Sequence, residues 1–525
     1  MHPAKALLFV ATALWLSGAA MASSAPVRID TGTLQGSEED GIRVFRGIPY
    51  AAAPVGDLRW RPPQPASAWR GVRRATEYGH DCMQLPVSNE AAPPGRTSPS
   101  EDCLVLNVWA PVKASGARLP VMVWIHGGGF LNGGSSPAIY DGVHFARNGV
   151  VLVTFNYRLG RFGFFAHPAL TKENPRGPLG NYAYMDMISA FRWVHRNIAA
   201  FGGDPDDVTA FGESAGGSAI HMLLSSPAAK GLFAKAILES GGGRDGTHLP
   251  VRARNAASPS GESLGLAFAR SNGIPGEDSQ ALAALRRLPA SAVLGGLNIA
   301  TRRSDPSMAA TFAGPMVDGE IVQEIPQRAY EAGRQMKIPI LIGANSSDLA
   351  YPHSATLDQL FQPFGGDRRS AMAAYDPQKT GNVQEIAARM ARDRGMLEPA
   401  RFVARSLSAQ GQRVYEYRFS YVAESMRGSW AGAPHASEVP YVFDTVDARY
   451  GDKVTAKDRA MAGAISGCWI VFAKQGDPNG EGRPHWPAYR AAQDLLADFL
   501  DEGMKIEPDP WKRRLDLTEE ARQPD

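Results

Sequence analysis

Short apolar runs alternate with longer stretches of helical spacing along most of this chain. Leu119 to Ile125 (LPVMVWI) is a buried-strand run closed by glycines, and Val150 to Phe155 (VVLVTF) is a second. From Tyr182 to Asn197 the positions Met185, Ile188, Ala190, Phe191 and Val194 recur with the period of a helix. Val208 to Phe211 predicts a short strand followed by a helix of small residues; Ala234 to Leu238, Ile338 to Ile342 and Val414 to Phe419 predict further strands. Ahead of these, Thr31 to Phe45 alternates and turns like a small antiparallel hairpin. Strands rich in β-branched residues and separated by helices predict an α/β fold, with a large, mostly parallel central sheet and helices on both faces. The intervals from Gly243 to Ile338 and from Ala344 to Arg413 are too long for simple crossovers and predict helical insertions. No linker divides the chain, so residues 23–525 are expected to form one domain.

The first residues break this pattern. Lys5 precedes an almost wholly apolar stretch, Ala6 to Ala20, and Ala20-Met21-Ala22 is a small-x-small cleavage site, so residues 1–22 read as a signal peptide. The apolar run is shorter than the roughly 20 residues a spanning helix needs. No later segment is long and apolar enough to span a membrane, so a secreted or periplasmic protein without a stable membrane anchor is expected. Export gives the 3 cysteines meaning, because disulfides persist in oxidising compartments. A bridge between Cys82 and Cys103 would restrict a loop rich in Pro, Ser and Gly, whereas Cys468, in the apolar run Ile465 to Phe472, reads as a buried free thiol. A net charge of +2 with interspersed signs argues against a nucleic-acid partner. The pairs Arg302-Arg303 and Arg368-Arg369 read as solvated surface. Neither cysteine nor histidine spacing suggests a metal, and no cofactor is expected.

Candidate chemistry begins at Gly212-Glu213-Ser214-Ala215-Gly216-Gly217, directly after the strand Val208 to Phe211. A Gly-x-Ser-x-Gly turn holds a serine on a sharp strand-to-helix bend, at the positive end of the helix that follows. The pattern occurs twice: Gly261-Glu262-Ser263-Leu264-Gly265 also fits, but it follows a polar stretch and leads into an ordinary amphipathic helix. Context therefore selects Ser214 and makes Ser263 a helix-start residue. His126-Gly127-Gly128-Gly129-Phe130, after another strand, matches the glycine-rich loop whose amides stabilise an oxyanion; Gly128 and Gly129 would donate together with Ala215.

A serine nucleophile needs a base. Of 11 histidines, His353, His435 and His485 lie late enough for the order serine, acid, histidine. His485 sits in a polar loop and His353 lies too close to the candidate acid. His435 follows a strand and a loop and begins a helical stretch, Ala436 to Phe443, so it is the candidate base. Asp348 is the first carboxylate after the strand ending at Ile342 and would orient the imidazole. Glu213 and Glu438 neighbour the other members and read as supporting partners. Each candidate follows a different strand at the carboxyl edge, where open α/β sheets carry their sites.

With these residues placed, the chain resembles the type-B carboxylesterases of the α/β-hydrolase fold, the group that includes the cholinesterases. The resemblance runs through Phe45-Arg46-Gly47-Ile48-Pro49-Tyr50, Leu58-Arg59-Trp60 and the segment Glu101 to Trp109 (EDCLVLNVW). It continues in Asn156-Tyr157-Arg158, Phe201-Gly202-Gly203-Asp204-Pro205, the Ser214 turn, Gly432-Ala433-Pro434-His435 and the segment Phe472 to Asn479 (FAKQGDPN). It implies a Cys82–Cys103 disulfide and oxyanion donors at Gly128, Gly129 and Ala215. Two departures stand out. The acid is usually glutamate in this family, where this chain has Asp348. The loop between Cys82 and Cys103 lacks the aromatic residue with which cholinesterases bind a quaternary ammonium, so choline esters are not the expected specialisation.

The implied activity is hydrolysis of small-molecule carboxylic esters through an acyl-enzyme. Phe130, Phe164, Phe165 and Trp430 are candidates for the substrate pocket, with core packing as the alternative for each. Amide or carbamate hydrolysis by the same triad, or a non-catalytic binding module, are the competing readings. The sequence leaves the oligomeric state open.

Overall fold

The computed structural model describes residues 22–87, 93–114, 116–244, 248–253, 258–349 and 356–522. The expected signal peptide lies outside the described residues except for Ala22, and so does His353. The centre is a sheet of 12 strands. In chain order these are β1 (Ala22–Ser23), β2 (Ser37–Glu39), β3 (Ile42–Pro49), β4 (Val105–Pro111), β5 (Leu119–Ile125) and β6 (Val151–Phe155). They continue with β7 (Gly203–Glu213), β8 (Lys235–Glu239), β9 (Ile340–Asn345), β10 (Val414–Phe419), β11 (Leu495–Leu500) and β12 (Gly503–Pro508). Their spatial order is β1-β2-β3-β4-β6-β5-β7-β8-β9-β10-β11-β12. From β6 to β11 every neighbouring pair is parallel, whereas β1 to β4 and β12 add antiparallel edges.

Both faces of the parallel strands are covered, so β5 (LPVMVWI) and β6 (VLVTF) are largely apolar runs, whereas β10 (VYEYRF) and β11 (LLADFL) bury Glu416, Arg418 and Asp498 among apolar residues. On β5, Val121, Val123 and Ile125 point into the cluster formed with α1 (Tyr182–Asn197) and α2 (Ala215–Ser225), through Phe191, Val194, Ala219 and Leu223. Met122 and Trp124 alternate to the other face. There they meet Phe211, Ile237, Leu341 and, from the C-terminal part, Phe443, Ile465, Trp469 and Phe472. The long intervals do hold helices: α3 (Gly261–Ser271) lies in the first, and α4 (Val383–Arg392) and α5 (Glu398–Ala409) in the second. Beyond them lie α6 (Val439–Val442), α7 (Ala456–Gln475) and α8 (Lys512–Glu520).

The amino-terminal segment differs from the single hairpin predicted. Val27–Ile29 pairs with Gly32–Gln35, and β2 pairs separately with β3, because Gly36 ends the first hairpin and the chain then crosses to the main sheet. The helix predicted over Ala436 to Phe443 contracts to α6, since Ala436 takes φ 62° and cannot continue a right-handed turn. Cys82 and Cys103 form a disulfide with Cα atoms 5.0 Å apart. Cys468 is a buried free thiol, its pKa pushed up to about 11 by burial. Among the described residues no helix is long and apolar enough to cross a membrane.

Candidate active site

The carboxyl ends of β7, β9 and β10 bring three side chains together. Ser214 follows β7 directly and opens α2 with φ 56° and ψ −119°, a conformation that L-residues rarely adopt and that the surrounding packing must enforce. The enforcement is visible. The Ser214 amide donates to the Glu239 carbonyl at 2.9 Å, and a Cβ on Gly216 would overlap the Ile125 carbonyl oxygen. The strand-to-helix junction therefore has to carry glycine where it crosses β5.

Ser214 Oγ lies 2.9 Å from His435 Nε2, and His435 Nδ1 lies 2.6 Å from Asp348 Oδ1. The hydrogen-bond pattern assigns the imidazole proton to Nδ1, which leaves Nε2 free to accept from the serine. The loops carrying the acid and the histidine are tied together: Ser347 N donates to Ala433 O at 2.8 Å and Asn345 Nδ2 to Pro434 O at 2.7 Å. Asn345 is fully buried and its amide is engaged, so Asn345-Ser346-Ser347 is no glycan acceptor in the folded protein.

Asp348 is buried, and burial alone would raise its pKa. His435 beside it, hydrogen bonds from His435 and Ser240 Oγ, and the Asn345 amide outweigh that and hold it below the ordinary value. Ser240, at the end of β8, is 2.6 Å from Asp348 Oδ2. It is a site residue that the sequence reading missed. Position after a strand was the available signal, but a serine there is too common to stand out.

Next to Ser214, His435 and Asp348 is a group of buried carboxyls. Glu213 Oε1 lies 3.0 Å from His435 Nε2 without the alignment of a hydrogen bond. Burial raises the Glu213 pKa well above its ordinary value, reinforced by Glu438, Asp348 and Glu239. Glu239 accepts from Trp469 Nε1 at 2.7 Å, and Glu438 accepts from Asn345 Nδ2. Burial raises both, Glu239 to about 8. Burial thus favours the neutral form of these three carboxyls, whereas the surroundings of Asp348 favour its carboxylate.

The glycine loop runs alongside. A Cβ on Gly127 would overlap Glu213 Oε2, so the loop needs glycine to approach the serine turn. The N–H groups of Gly128, Gly129 and Ala215 have no acceptor among the described residues. Unpaired amides beside a serine are what a developing oxyanion requires.

The aromatic candidates separate. Phe130 lines a cavity with Tyr184, and Phe164 packs edge-on against Phe130 with centroids 5.2 Å apart. Phe165 instead stacks on Trp60 at 4.4 Å within the core, and Trp430 sits in a loop whose amide bonds back to Met426. Neither lines the cavity beside Phe130. Ser263, the second copy of the motif, is the N3 residue of a capping box with Ser260 at the start of α3.

Known proteins resemble this chain in sequence and fold. The sequence profile of the Carboxylesterase family matches residues 23–371 and 366–516. The chain belongs to the carboxylesterase family. Fumonisin B1 esterase of Sphingopyxis macrogoltabida is 36% identical over 484 residues, covering 89% of this chain and 85% of the relative. Para-nitrobenzyl esterase of Bacillus subtilis (strain 168) is 36% identical over 497 residues, covering 91% and 95%. A PNB esterase structure superposes with a TM-score of 0.77 at 33% identity, covering 94% of this chain and 99% of that one. The carboxylesterase structure from Geobacillus stearothermophilus gives 0.76 at 34% identity, covering 95% and 100%. This carboxylesterase thus has the α/β-hydrolase fold, and it is a carboxylic ester hydrolase acting on small-molecule esters.

Proposed function

We propose that this carboxylesterase works by two acyl transfers with Ser214 as nucleophile. As Ser214 Oγ attacks the ester carbonyl, its proton passes to His435 Nε2, and the negative oxygen settles among the amides of Gly128, Gly129 and Ala215. The tetrahedral species collapses, and the alcohol leaves with the proton from Nε2. Water then gives its proton to the same nitrogen, attacks the acyl carbon, and releases the acid while Ser214 recovers its hydrogen. Asp348 stays ionised throughout and stabilises the imidazolium. The supporting observation is the continuous line Ser214–His435–Asp348, at 2.9 and 2.6 Å.

The amino-terminal segment and the disulfide support an exported enzyme. Hydrolysis of nitrophenyl esters from acetyl to decanoyl, by wild type and Ser214→Ala, tests the mechanism. The expected result is an optimum at some acyl length and a collapse of all activity in the variant. Full activity in Ser214→Ala would overturn it.

A further inference from the structure

The pair Arg302-Arg303 is exposed, as the sequence alone assigns it, and Arg302 also lines a cavity near the glycine loop. The segment before it covers the glycine loop: Ile299 N donates to Asn132 Oδ1 at 3.1 Å, and a Cβ on Gly129 would lie 3.2 Å from Ile299 Cδ1. One turn on, Arg302 lines a cavity of about 360 Å³ together with Phe130 and Ser218. Ser218 stands one helical turn beyond Ser214, its amide donating to the Ser214 carbonyl at 2.8 Å. A second cavity of about 570 Å³ shares Arg244, Gly395 and Met396 with the first.

The charge of these walls is one-sided. Arg244, Arg302, Arg394 and Arg522 line the two cavities, and no Asp or Glu does so among the described residues. Arg244 and Arg522 both pair with the same carboxylate, Glu398, whose pKa burial pushes up to about 7. Arg302 and Arg394 have no carboxylate within ion-pair distance among the described residues. Arg302 is solvent-accessible, its guanidinium 5.5 Å from the Phe312 ring centroid, and the protein around it lowers its pKa by desolvation. An accessible, partly desolvated arginine in a concave wall focuses a positive potential within the cavity that Phe130 and Ser218 also line.

We infer that this enzyme's substrate is an anionic ester, whose acid or alcohol part carries a carboxylate that Arg302 receives beside the glycine loop. The inference rests on ester hydrolysis at Ser214. A guanidinium offers paired N–H groups to a carboxylate, and Arg394, Arg244 and Arg522 extend the positive wall for a longer or more highly charged group.

Matched substrates test it. Mono-4-nitrophenyl adipate against 4-nitrophenyl hexanoate places the charge on the acyl side, and 4-acetoxybenzoate against phenyl acetate places it on the alcohol side. Wild type is expected to prefer the charged member of at least one pair. Arg302→Gln should lower kcat/KM for that member about tenfold, through KM, and leave the neutral partner within a factor of two. Arg302→Lys should keep part of the preference, and raising NaCl should erode it only for the charged ester. Unchanged turnover of the neutral ester shows in the same preparation that the variant is folded. If neither pair favours the charged ester, or Arg302→Gln leaves its ratio unchanged while Ser214-dependent hydrolysis persists, the inference fails and the proposed mechanism survives. Hydrolysis of these esters that does not need Ser214 would remove both.

Discussion

Gly-x-Ser-x-Gly occurs twice in this chain, at residues 212–216 and 261–265, and the two copies have almost nothing in common beyond their letters. Their glycines do the same work. A Cβ on Gly216 would overlap the Ile125 carbonyl, and one on Gly265 would overlap the Ala166 carbonyl, so each copy marks a place where two backbones touch. The serines differ in what precedes them. Ser214 follows an 11-residue strand and is held at φ 56°, its hydroxyl on His435. Ser263 follows a capped helix start and spends its hydroxyl on the Ser260 amide at 2.9 Å. The pattern reports close packing; the strand before it decides whether the serine is available for chemistry.

Replacing the serines separates the two most sharply. Ser214→Ala is expected to cost about 10⁴- to 10⁶-fold in kcat on a nitrophenyl ester, as loss of a triad nucleophile does. Comparable losses in both serine variants would break the contrast. The acid comes next. Asp348→Asn cannot hold the same imidazole tautomer and should cost about 10³- to 10⁴-fold in kcat, with a smaller change in KM. Retention of most activity would mean that another carboxylate, Glu213 being nearest to His435, supplies the charge.

The glycines should behave alike. Gly216→Ala and Gly265→Ala each force a methyl against a carbonyl oxygen and should destabilise the fold by roughly 1–3 kcal/mol by denaturant titration. Only the first should also lower activity beyond its loss of folded protein, because only it moves the helix whose first amide, on Ala215, is proposed as an oxyanion donor. An equal effect on specific activity from both would show that the second copy shapes the site too.

How much of this was legible follows the same division between letters and surroundings. The strands before Ser214 and Asp348 end in short apolar stretches, and the strand before His435 keeps Val, Tyr and Phe around Glu416 and Arg418, so their ends and the residues just past them could be read. β4 was not, because Asn107 interrupts it. That side chain is buried and hydrogen-bonds Thr154, Ser135 and the Gly47 amide, and a polar position satisfied by distant partners has no local signature. β11 is hidden in the same way by Asp498, 3% exposed. The predicted Val208 to Phe211 grew to an 11-residue strand because Gly203 pairs with Leu119, a contact with a residue far away in the chain. The carboxyl layer was half visible: Glu213 and Glu438 border recognised motifs, whereas Glu239 is simply a polar residue at a strand end until Trp469 closes over it.

That layer gives a pH test. Glu239 is raised from 4.5 to about 8 by burial, so the folded protein holds a proton that the unfolded chain has released. Its contribution to stability is therefore complete below the ordinary carboxyl range and is lost as pH climbs through the folded value. Glu239→Gln keeps an acceptor for Trp469 and has no proton to lose. The fall in Tm between pH 5 and pH 8.5 should be shallower in the variant than in wild type. Parallel Tm curves would mean that Glu239 is already ionised in the folded state.

The smallest effect is expected at the other serine. In the capping box the Ser260 hydroxyl accepts from the Ser263 amide at 3.2 Å, and Ser263 Oγ returns a bond to the Ser260 amide. Alanine at 263 removes that bond and the one Ser263 Oγ donates to the Ser260 carbonyl at 2.9 Å, while Ser260 keeps capping the helix. Ser263→Ala should therefore cost about 0.5–1 kcal/mol. In a chain of this length that is a Tm shift of roughly 1–3 °C, with kcat/KM on nitrophenyl esters unchanged. The measurement has weight because a deletion this mild, set beside a near-complete loss at Ser214, varies a single hydroxyl in two copies of one motif. If Ser263→Ala instead lowered kcat at full stability, α3 would have to communicate with the glycine loop, and reading the motif by the strand before it would be insufficient.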